Sequence, residues 1–557
     1  MAWKPIFASL SLNNMVKSKK RKFIFVVGGV MSGVGKGITA ASLGVLLQSK
    51  GYKVTALKAD PYVNVDAGTM NPIEHGEVFV TDDGDETDQD MGNYERFLDT
   101  DLNSENYMTT GRVYQTVIQN ERAMKYKGKC VQVVPHIPEE IIRRIREASE
   151  KHEADITIIE IGGTVGEYEN ILFLEAARMM KLKDSQDVAF VLVSYLPVPG
   201  HIGEMKTKPT QHASRELNSA GINADFIIAR GPQILDKPRR EKLATFCNIA
   251  PDHCISAPDA KSIYEVPLII DEQGFGGKML KVLDLPYRKA DMSKWRKLVD
   301  KINNTPREIK IAVVGKYFGT GNYTLSDSYI SVIEAIKHAA WFNNVAPKLE
   351  WIDSEDFERS NKEIKKLSNY DGLIVPGGFG SRGIEGIISA IKYARENKMP
   401  YLGLCYGMQL ACIEMARNVL NLKDAHTIEV DPDTTNPIFI TNPNQAMNIR
   451  ENRYGGTMRL GAYDCVLADD SKVRKVYGAE KISERHRHRY EFNNQYREPL
   501  EKAGLKVAGV NPESNLVEIV ELENHPFFVG AQFHPEFKSR PMRPHPLFRE
   551  FVRAACK

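Results

Sequence analysis

The chain has 557 residues, of which 42% are apolar and 26% charged, too many for one hydrophobic core, so two or more domains are expected. A formal net charge of +2 gives no basis for a nucleic-acid partner, and no apolar run is long enough to span a bilayer. Seven cysteines without a CxxC pair make neither a disulfide framework nor a zinc site, as in a reducing, cytoplasmic compartment.

Residues 1–22 are mildly apolar to Asn13 and basic from Lys17 to Lys22. They lack the Arg and Ser richness of a transit peptide and read as an extension ahead of the first strand. Phe23 to Val27 is a continuous apolar run, predicted as a buried strand. It leads into Gly28-Gly29-Val30-Met31-Ser32-Gly33-Val34-Gly35-Lys36-Gly37, and a helix is predicted from Ile38 to about Gln48. Strand, glycine loop, lysine and helix together hold phosphate: loop N–H groups, helix dipole and ammonium converge on it. Two positions depart from the strict phosphate-loop pattern, Val30 where glycine is usual and Gly37 where Ser or Thr is usual. No hydroxyl at 37 is available for Mg²⁺. Taken alone, the segment also reads as a tight strand-to-helix turn.

Further apolar strands are predicted at Val54 to Leu57, Thr157 to Ile161, Val188 to Val193 and Phe226 to Ala229. Helical stretches such as Glu139 to Lys151 and Asn170 to Lys183 alternate with them. Such alternation implies an α/β fold with a mainly parallel sheet and helices on both faces, with ligands at the carboxyl ends of the strands. Polar clusters fall at those ends: Lys58 and Asp60, then Glu160 to Glu167. The acidic stretch Thr81 to Asp90 would ordinarily be a solvated loop. Beside a phosphate loop lacking its own hydroxyl, it reads instead as a source of a metal carboxylate, because Mg²⁺ keeps its waters and nucleotide phosphates as most of its ligands. Lys206-Thr207-Lys208-Pro209-Thr210-Gln211-His212 carries two ammonium groups and two hydroxyls and suits a second triphosphate; as a bare charge pair it would be surface.

A linker is predicted over 289–308, with a polar helix starting near Ser293 and a new sheet beginning at Ile309. Domains of 23–288 and 309–557 follow. In the second, the glycine-rich segment Val375 to Gly380 follows an apolar strand and can present N–H groups to an oxyanion. Gly403-Leu404-Cys405-Tyr406-Gly407 lies between a short strand and a helix, the pattern of a nucleophile elbow in which flanking glycines permit the turn. The following helix N-terminus favours a thiolate. Alone, the pentapeptide also fits a buried core thiol. Its partners are His534 and Glu536 in Gln532-Phe533-His534-Pro535-Glu536-Phe537, which on one extended segment would point the same way and serve as base and orienter.

The elbow, oxyanion loop and His-x-Glu together resemble a class I glutamine amidotransferase over about the last 250 residues. The glycine loop, Asp60 to Met70, His75 to Val80, Lys206 to His212 and Arg485 to Tyr490 extend the match, and the whole from about Phe23 to about Ala555 resembles the CTP synthase family. That resemblance implies two α/β domains, a P-loop-like synthetase and a glutaminase, which aminate UTP to CTP with ATP, Mg²⁺ and ammonia from L-glutamine. It implies Cys405, His534 and Glu536 as the triad, with glutamine at Gly378, Tyr406, Gly407, Met408, Gln409, Glu429 and Arg489. ATP phosphates would lie at Gly33, Val34, Gly35, Lys36, Gly37 and Ile38, with Lys58 steadying the transferred group, Asp90 and Glu160 holding Mg²⁺, and Asp259 near the adenine. UTP and inhibitory CTP would share Ser32, Lys206, Thr207, Lys208, Pro209, Thr210, Gln211 and Lys242, with the CTP base near Glu167, Tyr168 and Glu169. His75 matches the position where an ammonia passage opens; it also reads as a satisfied, partly buried histidine. GTP as allosteric activator has a candidate contact in Phe379 to Glu385. A homotetramer is implied, and filaments are compatible with it. Departures are Tyr406 after the nucleophile, a short 435–454 segment, an N-terminal extension without counterpart, and no long tail beyond Phe551. A rival reading is an amidoligase acting on another acceptor, against which Lys206, Lys208, Gln211 and Lys242 weigh.

Overall fold

The computed structural model describes residues 21–201, 203–316, 319–320, 323–324, 326–441 and 455–557. The extension up to residue 20 and most of the 435–454 segment lie outside the described residues.

The first unit is built on a seven-stranded sheet. Along the chain run β1 (Lys22–Gly29), α1 (Lys36–Ser49), β2 (Val54–Asp60), α2 (Gln89–Leu98), β3 (Tyr107–Thr109), α3 (Val133–Lys151), β4 (Ile156–Ile161), α4 (Ile171–Lys183), β5 (Val188–Tyr195), α5 (Lys208–Ser219), β6 (Phe226–Gly231) and β7 (Cys254–Pro258). The sheet order is β3-β2-β4-β1-β5-β6-β7, and every neighbouring pair is parallel. The unbroken apolar run of β1 has a direct cause: Ile24 and Val26 enter the core on one face, while Phe23, Phe25 and Val27 enter the core on the other. Side chains alternate faces along a strand, and a parallel sheet covered on both sides buries both sets.

The predicted linker is docked rather than free. It forms α6 (Ser293–Asn303), and Trp295, Leu298 and Val299 join the first unit's core. The Trp295 indole N–H donates to the Tyr264 carbonyl at 2.7 Å. Polar composition hid this because only one stripe of the helix is apolar.

The second unit comprises β8 (Glu308–Gly315), α7 (Ile330–Phe342), β9 (Ala346–Asp353), β10 (Gly372–Val375), β11 (Tyr401–Leu404), α8 (Tyr406–Asn418), β12 (Arg459–Leu467), β13 (Lys481–His488), β14 (Leu505–Val510), β15 (Val517–Leu522), β16 (Phe528–Ala531) and α9 (Pro546–Ala555). Its sheet runs β9-β8-β10-β11-β16-β15-β14-β12-β13. It is parallel from β9 to β16 and antiparallel beyond, an extension the sequence did not announce. Turns such as 523–527 between β15 and β16 are too short for a parallel crossover, which needs a dozen residues or more.

The two units meet through a buried ionic layer. Arg485 Nη1 contacts Glu95 Oε2 at 2.9 Å, and Arg540 Nη2 reaches Glu95 and, at 2.7 Å, Asp101. Phe79 lies edge-on to Phe537 with ring centroids 5.0 Å apart. The Glu77 N–H donates to the Asp327 carbonyl at 3.0 Å and the Ala462 N–H to the Asp82 carbonyl at 2.8 Å. The carboxyl end of β1, with its glycine loop, and that of β11, with Cys405, both open toward this contact.

Candidate active sites

Cys405 directly follows β11 and precedes α8, at φ 49° and ψ −98°. A non-glycine residue held there stores about 1–3 kcal/mol of backbone strain. The flanking glycines do not take the strained turn; Cys405 does. They make room: a Cβ on Gly403 would lie 2.5 Å from the Tyr401 hydroxyl, and one on Gly407 2.3 Å from the Val375 carbonyl oxygen.

His534 and Glu536 meet, but not on a strand. β16 ends at Ala531, and His534 caps the short 3-10 turn Pro535–Lys538. Pro535 opens that turn, where a missing N–H costs nothing, and the turn brings His534 Nδ1 within 2.7 Å of Glu536 Oε1. Burial alone would push the His534 pKa down; the Glu536 carboxylate and the Cys405 sulfur beside it raise it to about 10. A Cβ at Gly377 would sit 2.8 Å from His534 Cε1 and 3.8 Å from Cys405 Cβ, so glycine there lets the 377–380 loop close over both. Gln532, quoted in the motif without a role, donates through Nε2 to Cys405 Sγ at 3.7 Å and accepts from Gln409 Nε2 at 3.4 Å.

The expected glutamine contacts divide. Gly378 lines the cavity of the triad. Tyr406 and Glu429 hold the loop: the Tyr406 hydroxyl donates to the Gly380 carbonyl at 3.0 Å, and Glu429 Oε1 accepts from the Gly380 N–H at 2.9 Å. Gly407, Met408 and Gln409 are buried in the first turn of α8, and Met408 packs on Gly530. Arg489 Nη1 donates to Thr457 Oγ1 at 2.9 Å.

In the first unit, Val30 adopts φ +79°, a left-handed conformation that strains a β-branched residue, at the position where glycine is usual. Lys36 donates to the Gly163 carbonyl at 2.9 Å, and its pKa is lowered by burial, partly offset by Glu160. Gly37 has a clear reason: its Cβ would fall 2.1 Å from Asp90 Oδ1. Asp90 thus occupies the place of the missing hydroxyl. Lys58 is buried amid carboxylates, bonded to Asp90 and to Glu160 at 3.0 Å, with Asp60 at 3.6 Å and Asp88 at 3.7 Å. Burial lifts the Glu160 carboxyl to about 7 and the Asp88 carboxyl to about 8. Among the described residues no group of three or more His, Cys, Asp or Glu could hold a metal unaided. Asp90 and Glu160 nevertheless both reach one cation, the Lys58 ammonium, and the buried Asp60 Oδ2 has no hydrogen-bond partner among the described residues. This donor set fits Mg²⁺, which needs only one or two protein carboxylates when phosphates are present.

The second basic cluster lies beside the glycine loop, since a Cβ on Gly29 would sit 2.5 Å from Ala213 Cβ in α5. Its hydroxyls are not free: Thr207 accepts from Gln211 Nε2 at 3.0 Å and Thr210 accepts from Ser194 Oγ at 2.8 Å. Lys206 pairs with Glu204 at 2.7 Å. Ser32, Lys208 and Lys242 are exposed or partly exposed, and Tyr168 is 91% exposed. Glu167 caps its own loop, accepting from the Thr164 N–H at 2.8 Å. Asp259 pairs with Arg230 at 3.1 Å, and a Cβ on Gly35 would meet Arg230 Nε at 3.5 Å. Arg230 at the end of β6 was not singled out by sequence, because a lone arginine ending a strand carries no motif.

Each centre has its own cavity, and the two adjoin. One holds Cys405, His534 and Gly377 on one side and Pro72, Glu77 and Val78 on the other; the second holds Lys36, Lys58, Asp90 and His75. Pro72 and Ser328 line both, and the Ser328 hydroxyl donates to the Pro72 carbonyl at 3.1 Å.

Known proteins match both units. The family model described as CTP synthase N-terminus covers residues 22–285, and that described as glutamine amidotransferase class-I covers residues 324–554. A CTP synthase from Carboxydothermus hydrogenoformans is 52% identical over 96% of this chain and 99% of that protein. One from Thermococcus gammatolerans is 51% identical over 96% of this chain and 98% of its own length. Among solved structures, the glutaminase domain of Trypanosoma brucei CTPS with bound acivicin is similar at 38% identity and TM-score 0.41, covering 44% of this chain and 94% of that one. The fold and site therefore define an α/β enzyme that joins a synthetase unit to a class I glutamine amidotransferase unit. The chain belongs to the CTP synthase family.

Proposed function

We propose that this chain aminates UTP to CTP with ATP, drawing ammonia from L-glutamine hydrolysed at Cys405. The observation that carries this reading is the pair of cavities sharing Pro72 and Ser328, one at a nucleophile with its base and the other at a phosphate loop.

At the glutaminase centre, His534 takes the thiol proton and Cys405 Sγ attacks the glutamine amide carbon. Glu536 on Nδ1 holds the ring and stabilises its charged form. Gly377 and Gly378 present backbone N–H groups to the oxyanion. His534 returns its proton to the leaving nitrogen, ammonia departs, and water releases glutamate from the thioester. Glutamine is held by Gly378, Glu429 and Arg489, with a glutamate for its ammonium and an arginine for its carboxylate.

At the synthetase centre, ATP phosphorylates O4 of UTP and ammonia displaces phosphate at C4. The residues around Gly33 to Ile38 and Lys36 hold the ATP phosphates, Lys58 steadies the transferred group, and Arg230 and Asp259 flank the nucleoside end. Asp90 and Glu160 would hold Mg²⁺, which supplies charge neutralisation of the phosphoryl oxygens. UTP, or CTP as inhibitor, would take Ser32, Lys206, Lys208 and Lys242, while Thr207 and Thr210 are buried. Assembly as a homotetramer and activation by GTP near Phe379 to Glu385 belong to the same proposal.

The test is absorbance-monitored CTP formation from UTP, ATP and Mg²⁺ with glutamine or ammonium chloride. Wild type should use both nitrogen sources. Glutamine hydrolysis without CTP from either source would mean another acceptor.

A further inference from the structure

A continuous hydrogen-bonded series runs from one cavity to the other through the body of the protein. Asp90, Asn93 and Arg96 stand three residues apart on one face of α2, the spacing at which helical side chains meet. Asn93 Nδ2 donates to Asp90 Oδ1 at 3.3 Å, and Arg96 Nη2 donates to Asn93 Oδ1 at 3.0 Å. Arg96 then crosses the boundary between the units, donating through Nη1 to Ser331 Oγ at 3.1 Å. Ser331 is the second residue of α7, and its N–H lies 3.2 Å from both oxygens of Glu77, which also accepts from the Ser331 hydroxyl. Glu77 lines the cavity of Cys405 and His534, whereas Asp90 lines the cavity of the phosphate loop.

The series is built tightly. Arg96, Ser331 and Glu77 are all buried. Gly92 is glycine because a Cβ there would lie 2.9 Å from Arg96 Nη1 and 3.0 Å from Nη2. The Glu77 carboxylate sits on the N-terminal turn of α7, where backbone N–H groups and helix dipole favour it. Asp90 is bonded to the Lys58 ammonium in this structure, and any cation or phosphate reaching Lys58 must rearrange that pair. A shift of Asp90 changes its bond to Asn93; Asn93 and Arg96 each pass it on through one hydrogen bond, and Ser331 through its hydroxyl and its N–H.

We propose that Asn93, Arg96 and Ser331 are positioning residues that couple occupation of the synthetase centre to the glutaminase end of the passage through Glu77. The proposal rests on the reading that ammonia travels between the two cavities. Its test compares wild type with Ser331→Ala, Ser331→Thr and Asn93→Leu, the last at a half-buried position. Three quantities are measured: alkylation of Cys405 by iodoacetamide with and without UTP, Mg²⁺ and a non-hydrolysable ATP analogue; glutamate formed per CTP; and CTP formed from ammonium chloride. Wild type should change its alkylation rate on nucleotide addition and make glutamate and CTP in equal amounts. Ser331→Ala and Asn93→Leu should shrink the nucleotide response about threefold or more and release glutamate in excess, with ammonium-driven synthesis retained and Ser331→Thr restoring the response. Variants that keep the full response and equal stoichiometry overturn the relay. So does loss of ammonium-driven synthesis in both, which marks a merely structural role. If wild type already makes unequal amounts, the passage reading itself fails and the relay falls with it.

Discussion

At the scale of single residues, the protein explains its unusual choices by space and charge. Cys405→Ala should abolish CTP formation from glutamine and leave the ammonium-driven reaction, since the hydrogen-bond partners of Cys405 Sγ among the described residues, Arg487 and Gln532, belong to the second unit; the check is CTP formation with each nitrogen source. Gly37→Ala should do the reverse. Its methyl would displace Asp90, and CTP synthesis from both sources should fall roughly tenfold to a hundredfold while glutamate release without nucleotides persists. The raised His534 pKa has a stability consequence with a definite sign. It is about 10 in the folded chain against ~6.5 when unfolded, so its stabilisation is complete below about pH 6.5 and is lost as pH rises through about 10. The melting temperature of His534→Gln should therefore trail wild type most in mildly acidic buffer and approach it in strongly alkaline buffer. Much of this scale was legible beforehand. Cys405, His534 and Lys36 lie in short motifs whose spacing encodes their chemistry. The carboxylate cage around Lys58 was only partly legible, because Asp60, Asp88 and Asp90 meet it from separate segments and a sequence does not display convergence. Arg230 carries no pattern at all, and Gln532 and Glu77 lie in motif segments whose residue types assign them no role.

At the scale of elements, the turns rather than the strands carry the chemistry. The elbow was readable as a strand, a nucleophile and a helix, yet the reason for its glycines was not: crowding at Gly407 comes from Val375, thirty-odd positions away. The His-x-Glu pair was assigned to an extended segment because alternation is the simplest way to place two side chains together, but the strand has ended by Ala531 and a 3-10 turn opened by Pro535 does it instead. Helix α6 shows the same limit in its packing: composition marked it polar, while Trp295 and its neighbours dock it on the first core.

At the scale of the molecule, the two units are welded by charge. Glu95 is buried between Arg485 and Arg540, and removing one member of such a set leaves charges without compensation. Glu95→Gln should cost about 3–5 kcal/mol of stability, read by denaturant unfolding, and should loosen the joint beside which both cavities lie. The parallel sheet of the first unit followed from alternating apolar runs and helices, whereas the joint did not, because Glu95, Arg485 and Arg540 come together from segments far apart in the chain.

In the proposed reaction, nitrogen moves internally from Cys405 to the synthetase centre. The most direct measurement supplies glutamine labelled with ¹⁵N in its amide, together with an excess of unlabelled ammonium chloride, and determines the isotope in the amino group of the product CTP by mass spectrometry. An internal passage past Pro72 and Ser328 predicts CTP enriched in ¹⁵N far above the bulk ammonia pool. CTP carrying only the isotope ratio of the bulk pool would contradict it.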